Sequence, residues 1–131
     1  MTTKITLITP PDIYQNNNDS ILFIDITDDE QDAVSKWLAQ SENHLDFNIY
    51  FYQGEPNIVW LLHSLSCSSF KYINLNNIST ISSYMAGYIL SKAGVFYRTE
   101  DDNVAELYSH INLNRVKNSD EFLEKIINGK K

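Results

Sequence analysis

Apolar residues along this chain fall into two alternating patterns. Short runs rich in β-branched and aromatic side chains occur at residues 4–9 (KITLIT), 21–26 (ILFIDI), 46–53 (DFNIYFYQ), 70–75 (FKYINL) and 95–98 (VFYR). Between them lie longer stretches in which apolar positions recur every third or fourth residue. The first pattern predicts strands and the second predicts helices with one buried face. The clearest unit spans residues 70–98: a nearly continuous apolar strand, a helix over 80–92 that Gly94 closes, and a second strand.

The remaining helices follow from start signals as well as periodicity. Thr27 and Glu30 have the spacing of a capping box, with Asp28 and Asp29 in the first turn, and Ala33, Val34, Trp37 and Leu38 give the helix 28–40 its stripe. After Gly54, Glu55 and Pro56, residues 58–66 (IVWLLHSLS) are apolar nearly all round and predict a helix buried on more than one side. Thr99 is followed by Glu100, Asp101 and Asp102, repeating the opening after strand 21–26, and predicts a helix with Val104, Leu107, Tyr108 and Ile111 on its stripe. Asn118 with Glu121 predicts a capped helix over 120–128 that packs through Phe122, Leu123, Ile126 and Ile127.

Laid end to end, the elements alternate strand and helix from residue 21 onward. That order predicts an α/β chain with right-handed crossovers: a small three-layer Rossmann-like or flavodoxin-like domain with a mainly parallel sheet of about five strands. The position of the first strand in the sheet stays open. A length of 131 residues fits one domain, 1–131.

Composition narrows the functional classes. Apolar residues make up 43% and charged residues 21%, the proportions of a globular chain. No apolar run approaches the roughly 18 residues that span a bilayer, and no signal-peptide pattern opens the chain, so a cytoplasmic protein without membrane contact is expected. The net charge of −7 is uneven: residues 1–65 carry two lysines against ten acids, whereas residues 66–131 carry eight basic residues against seven acids. Scattered basic residues argue against direct nucleic-acid binding, and the acidic half favours a basic partner surface. The single Cys67 excludes an internal disulfide, and it reads as a buried thiol. His63 has no second histidine and no carboxylate at ligand spacing beside it and reads as structural.

Glycine-rich phosphate loops, G-x-S-x-G, and H-x-E with C-x-x-C are all absent. Dinucleotide oxidoreductases, P-loop NTPases, α/β-hydrolases and zinc deaminases are therefore disfavoured, and no cofactor or metal is expected. A receiver-like arrangement fails too, since no aspartate ends a central strand at Gln53 or Asn76 and Arg98 replaces the later lysine. If the carboxyl edge of the sheet binds a ligand, the candidates are Asp25, Glu55, Asn76, Asn77 and Arg98, with Arg98 for an anionic group and Asp25 or Glu55 as base or metal ligand. Asp25, inside its strand, also reads as a carboxylate satisfied by backbone donors, and Asn76 and Asn77 also suit turn chemistry. Within the helix 80–92, Ser83, Gly87 and Ser91 form a face of small residues opposite Ile81, Met85 and Ile89. That face predicts close approach of another element, either the next helix or a second subunit.

The segments TPPD (9–12), WLLHSLS (60–66), YINLNN (72–77) and AGYILSKAGVFYRTEDDN (86–103) resemble small α/β proteins of T4-like tailed phages, particularly phages of marine cyanobacteria. The resemblance implies a phage protein acting in the host cytoplasm or on the virion, and it carries over no functional residues. Two functions are thus expected from sequence. The first is a non-enzymatic accessory factor that binds a host protein, a phage protein or itself. The second is a small-molecule or nucleotide-binding enzyme with its site at the carboxyl edge of the sheet.

Overall fold

The computed structural model describes residues 4–8, 20–24, 26–40, 48–52, 62, 65–66, 68–77 and 83–129. Its strands are β1 (Lys4–Ile8), β2 (Ser20–Ile24), β3 (Asn48–Tyr52), β4 (Phe70–Asn74) and β5 (Val95–Arg98). Its helices are α1 (Asp28–Ala39), α2 (Ser83–Leu90), α3 (Asp102–Tyr108) and α4 (Ser119–Gly129), and a 3-10 turn occupies Leu75–Asn77. Of the helix expected at 58–66, Leu62, Leu65 and Ser66 are helical and the rest lies outside the described residues. No described helix is long and apolar enough to cross a membrane.

Strands β2 to β5 form a parallel sheet, and β1 extends it along the outer edge of β3, also parallel, in the order β1-β3-β2-β4-β5. The chain leaves β2 toward β3 on one side and later returns to β4 on the other. Crossovers of one hand that run in opposite directions must put their helices on opposite faces. They do: α1 and α4 cover Ile21, Phe23, Ile49, Phe51 and Tyr72, whereas α2 and Tyr108 of α3 cover Leu22, Ile24, Tyr52, Ile73, Val95 and Tyr97. The near-continuous apolar strands of the sequence reflect burial on both faces.

The α1/α4 layer is centred on aromatic rings. Phe122 of α4 lies 5.4 Å from Phe23, 5.2 Å from Tyr72 and 5.3 Å from Phe96, so one helix side chain spans three strands. In the opposite layer the expected α3 stripe forms only in part, with Val104 and Tyr108 packed against the core. Tyr108 is buried, but the helix ends there, and Leu107 and Ile111 are 65% and 49% exposed. Its start also differs, because Asp101, and not Thr99, accepts the capping hydrogen bond, from Asn103 N–H at 2.9 Å. Thr99 is instead buried, with its carbonyl accepting from Arg115 Nη2 at 2.8 Å. The outer edge of β5 is covered by the segment after α3: Tyr97 N–H donates to the Asn114 carbonyl and Val116 N–H to the Tyr97 carbonyl.

Of the face of small residues on α2, Gly87 lies against the next helix. A Cβ at Gly87 would lie 4.0 Å from Tyr108 Cε1, ordinary van der Waals contact with the next helix. Ser91 is exposed and donates to the Tyr88 carbonyl of the same helix, and the Ser83 side chain lies outside the described residues. Gly94 is constrained differently, with φ +76° and an added Cβ 2.6 Å from the Ser69 carbonyl oxygen. In chemical denaturation, Gly87→Ala is therefore expected to stabilise the protein by about 0.5–1 kcal/mol. Gly94→Ala is expected to destabilise it by about 2 kcal/mol or more. Equal effects at the two positions would contradict this packing.

Candidate functional site

The carboxyl ends of β2 and β4 point into the crevice where the chain reverses its direction of travel across the sheet. Doubly wound sheets place their ligands at such a point. Register decides which side chains meet there. Tyr72 and Asn74 are two residues apart on β4, so they share a face, and Asn74 pairs with Arg98 of β5. That face is the one α1 covers, because Tyr72 packs in the α1/α4 layer.

Helix α1 meets this row with Glu30. Thr27 caps the helix as its sequence predicts, its Oγ1 accepting from Glu30 N–H at 3.1 Å. The Glu30 side chain turns inward, where it is only 5% exposed. Its Oε1 accepts from Asn74 Nδ2 at 2.9 Å, and its Oε2 accepts from the Tyr72 hydroxyl and from Arg98 Nη1 at 3.2 Å. The network continues along the edge: Asn74 Oδ1 accepts from Asn76 N–H, and Asn76 Oδ1 accepts from Glu100 N–H, each at 2.9 Å. Arg98 also has Glu100 Oε1 at 3.7 Å from its Nη2.

All of these groups except Tyr72 line a cavity of about 490 Å³, within the roughly 300–1,000 Å³ of small-molecule sites. One wall comes from α1 and its cap (Thr27, Asp29, Glu30, Ala33), one from the ends of β4 and β5 (Asn74, Asn76, Arg98, Glu100), and one from the start of α4 (Asn118, Ser119, Asp120). Glu30, Asn74 and Ser119 are buried polar groups at its base. Two closed-off polar atoms on the wall, Arg98 Nε and Asp120 Oδ1, lack a hydrogen-bond partner among the described residues. A second hollow of about 570 Å³ lies beyond β5 between Thr99, Arg115, Lys117 and Glu121, away from the reversal point. Among the described residues no group of three or more His, Cys, Asp or Glu side chains is placed to hold a metal ion.

Electrostatics follows burial. Desolvation, and then the hydrogen bond and charge of Glu30, push the Tyr72 phenol well above its ordinary value, against a smaller opposing pull from Arg98. Burial works against the Arg98 guanidinium, but Glu30 and Tyr72 more than offset it and hold its pKa above the ordinary value. At the opposite end of β4, burial and then Lys92 lower the pKa of Lys71, whose ammonium donates to the Ala93 carbonyl at 2.9 Å.

Of the sequence candidates, Asn76 and Arg98 come together on this cavity. Asn77 is described only as backbone of the 3-10 turn, and Asp25 and Glu55 lie outside the described residues, as do His63 and Cys67. The central residues Glu30, Tyr72 and Asn74 were not among the candidates. The capping-box pattern claimed Glu30 for the helix start, yet Glu30, Val34 and Trp37 are spaced four and three apart and form the buried face of α1. That spacing was the available signal. A scan against protein-family models returns no match, and neither does a search of curated proteins.

Because folding raises the pKa of Tyr72, the folded state keeps a phenolic proton that the unfolded chain loses above about pH 10. Its contribution is fully present below that pH and falls by about 1.4 kcal/mol per unit above it. Lys71, with a lowered pKa, contributes in the opposite sense, so that its share of stability rises as pH climbs toward its ordinary value of 10.5. Denaturation midpoints followed from pH 9 to about 11.5 are expected to fall less steeply in Tyr72→Phe than in wild type. Parallel curves would show that the phenol is not held as described.

Proposed function

We propose that this chain is a binding protein whose ligand is a small polar molecule seated in the cavity at the carboxyl edge. The observation that carries this reading is the set of buried polar groups, Glu30, Asn74 and Ser119, at the base of a cavity of about 490 Å³ at the reversal point of a doubly wound sheet. Binding fits the wall better than turnover. Both Glu30 oxygens are engaged by donors, three in all, which suits a fixed recognition surface better than a carboxylate free to abstract a proton.

A second reading is an accessory factor of a tailed phage that binds a host protein, a phage protein or itself. Large apolar side chains left exposed on α2, α3 and the segment after it favour it, with Tyr84 92%, Leu107 65% and Leu113 86% exposed.

A thermal-shift panel of polar small molecules separates the two. Under the first reading at least one compound raises the midpoint, and Ala33→Phe, which fills the cavity beside Glu30, abolishes the shift without unfolding the chain. No shift with any compound, together with self-association in light scattering that a Tyr84→Ser, Leu107→Ser variant loses, supports the second.

A further inference from the structure

The large apolar side chains left in solvent among the described residues are Tyr84 and Tyr88 of α2, Leu107 of α3, and Ile111 and Leu113 beyond it. None of them belongs to α1 or α4. Contacts join the segments that carry them. Tyr84 and Tyr88 are four residues apart and share a helix face. Gly87, next to Tyr88, lies against Tyr108, next to Leu107, with 4.0 Å between an added Cβ and Tyr108 Cε1. Past α3, the buried Asn112 donates to the Leu90 carbonyl at 3.1 Å and to the Val95 carbonyl at 2.9 Å, which pins this segment to the end of α2. Ile111 and Leu113 flank that inward side chain and stay exposed.

Charge sets this face apart from the rest of the chain. Helix α2 (SYMAGYIL) has no Asp, Glu, Lys or Arg, although a helix built to face water carries them on its outer side. Helix α1, by contrast, exposes Asp28, Asp29 and Asp32. Residues 66–131, which hold the whole apolar face, carry eight basic residues against seven acids, while the chain has a net charge of −7. That net charge repels an anionic membrane, and a strongly basic partner is drawn to the acidic half instead. A second copy meets neither obstacle. Two nearly neutral faces come together and the acidic halves stay apart. Lys92, whose ammonium lies 4.3 Å from the centre of the Tyr88 ring, and Glu106, next to Leu107, are opposite in sign, so a two-fold contact can set each against the other's counterpart.

Resting on the second reading and not on the cavity, we infer that this face is a two-fold interface between copies of the chain. Tyrosine is enriched and charge depleted at the centre of such interfaces, as on α2. At their exposures the five side chains present roughly 600 Å², most of the ~800 Å² that each partner of a standard interface contributes.

Light scattering of the full chain over a concentration series tests this with two variants of opposite charge, Tyr84→Lys, Leu113→Lys and Tyr84→Glu, Leu113→Glu. Both positions are exposed, and circular dichroism checks that each variant is folded. Wild type is expected at dimer mass, and each variant alone at monomer mass, with association weakened at least about tenfold because like charges face one another across the two-fold. Mixing the two variants sets opposite charges together and is expected to restore the dimer. Dimerisation that both variants retain, or a mixture that stays monomeric, would overturn the two-fold face. A monomeric wild type in which a photocrosslinker at position 107 joins one heterologous protein, lost in both variants, would overturn the self-contact and leave the second reading standing. A monomeric wild type with no such adduct would overturn both.

Discussion

A carboxylate removed from water is tolerable only when its lone pairs find donors, and Glu30 is 5% exposed. Three donors from two strands meet it: the Tyr72 hydroxyl, the Asn74 amide and the Arg98 guanidinium. The arrangement ties α1 to β4 and β5 across the point where the chain reverses, and through Asn74 and Asn76 it extends to the loop after β5. Such a network adds little net stability over a well-packed apolar core, but losing one member leaves a buried charge unpaired. Its consequence is positional. The walls of the cavity hold their places because the groups behind them have no alternative partners in an apolar layer.

That layer explains why the network sits where it does. Tyr72 belongs to both systems: its ring packs 5.2 Å from Phe122 and 5.6 Å from Phe23, while its hydroxyl reaches Glu30. Aromatic packing by α4 therefore fixes the direction of the phenol, and the phenol fixes one oxygen of Glu30. The same helix brings Asn118, Ser119 and Asp120 to the cavity at its start. Packing energy and site geometry are two ends of one helix.

Much of this was legible in residue order. The alternating periods gave each described strand and helix to within a few residues, since burial on two faces leaves apolar runs and burial on one leaves stripes. The Asn118 cap and the Phe122, Leu123, Ile126 stripe of α4 were legible for the same reason. The place of β1 was not, because parallel strands pair through long-range burial that no local signal records. Leu107 and Ile111 misled the reading of α3, as apolar residues at helical spacing that stay exposed. Glu30 was hidden by a legitimate competing pattern: Thr27 does cap the helix, and only the side chain of Glu30 departs from the box to serve the sheet. Arg98 and Asn76 were legible because strand ends in this architecture are where polar side chains gather.

The central claim, that Glu30 organises the carboxyl edge by holding several elements at once, is tested most directly by a double-mutant cycle between Glu30→Gln and Tyr72→Phe, read from denaturant unfolding at neutral pH. The account predicts a coupling of about 1 kcal/mol or more between the two substitutions. Additivity to within about 0.3 kcal/mol would contradict it, by showing that the carboxylate and the phenol act independently.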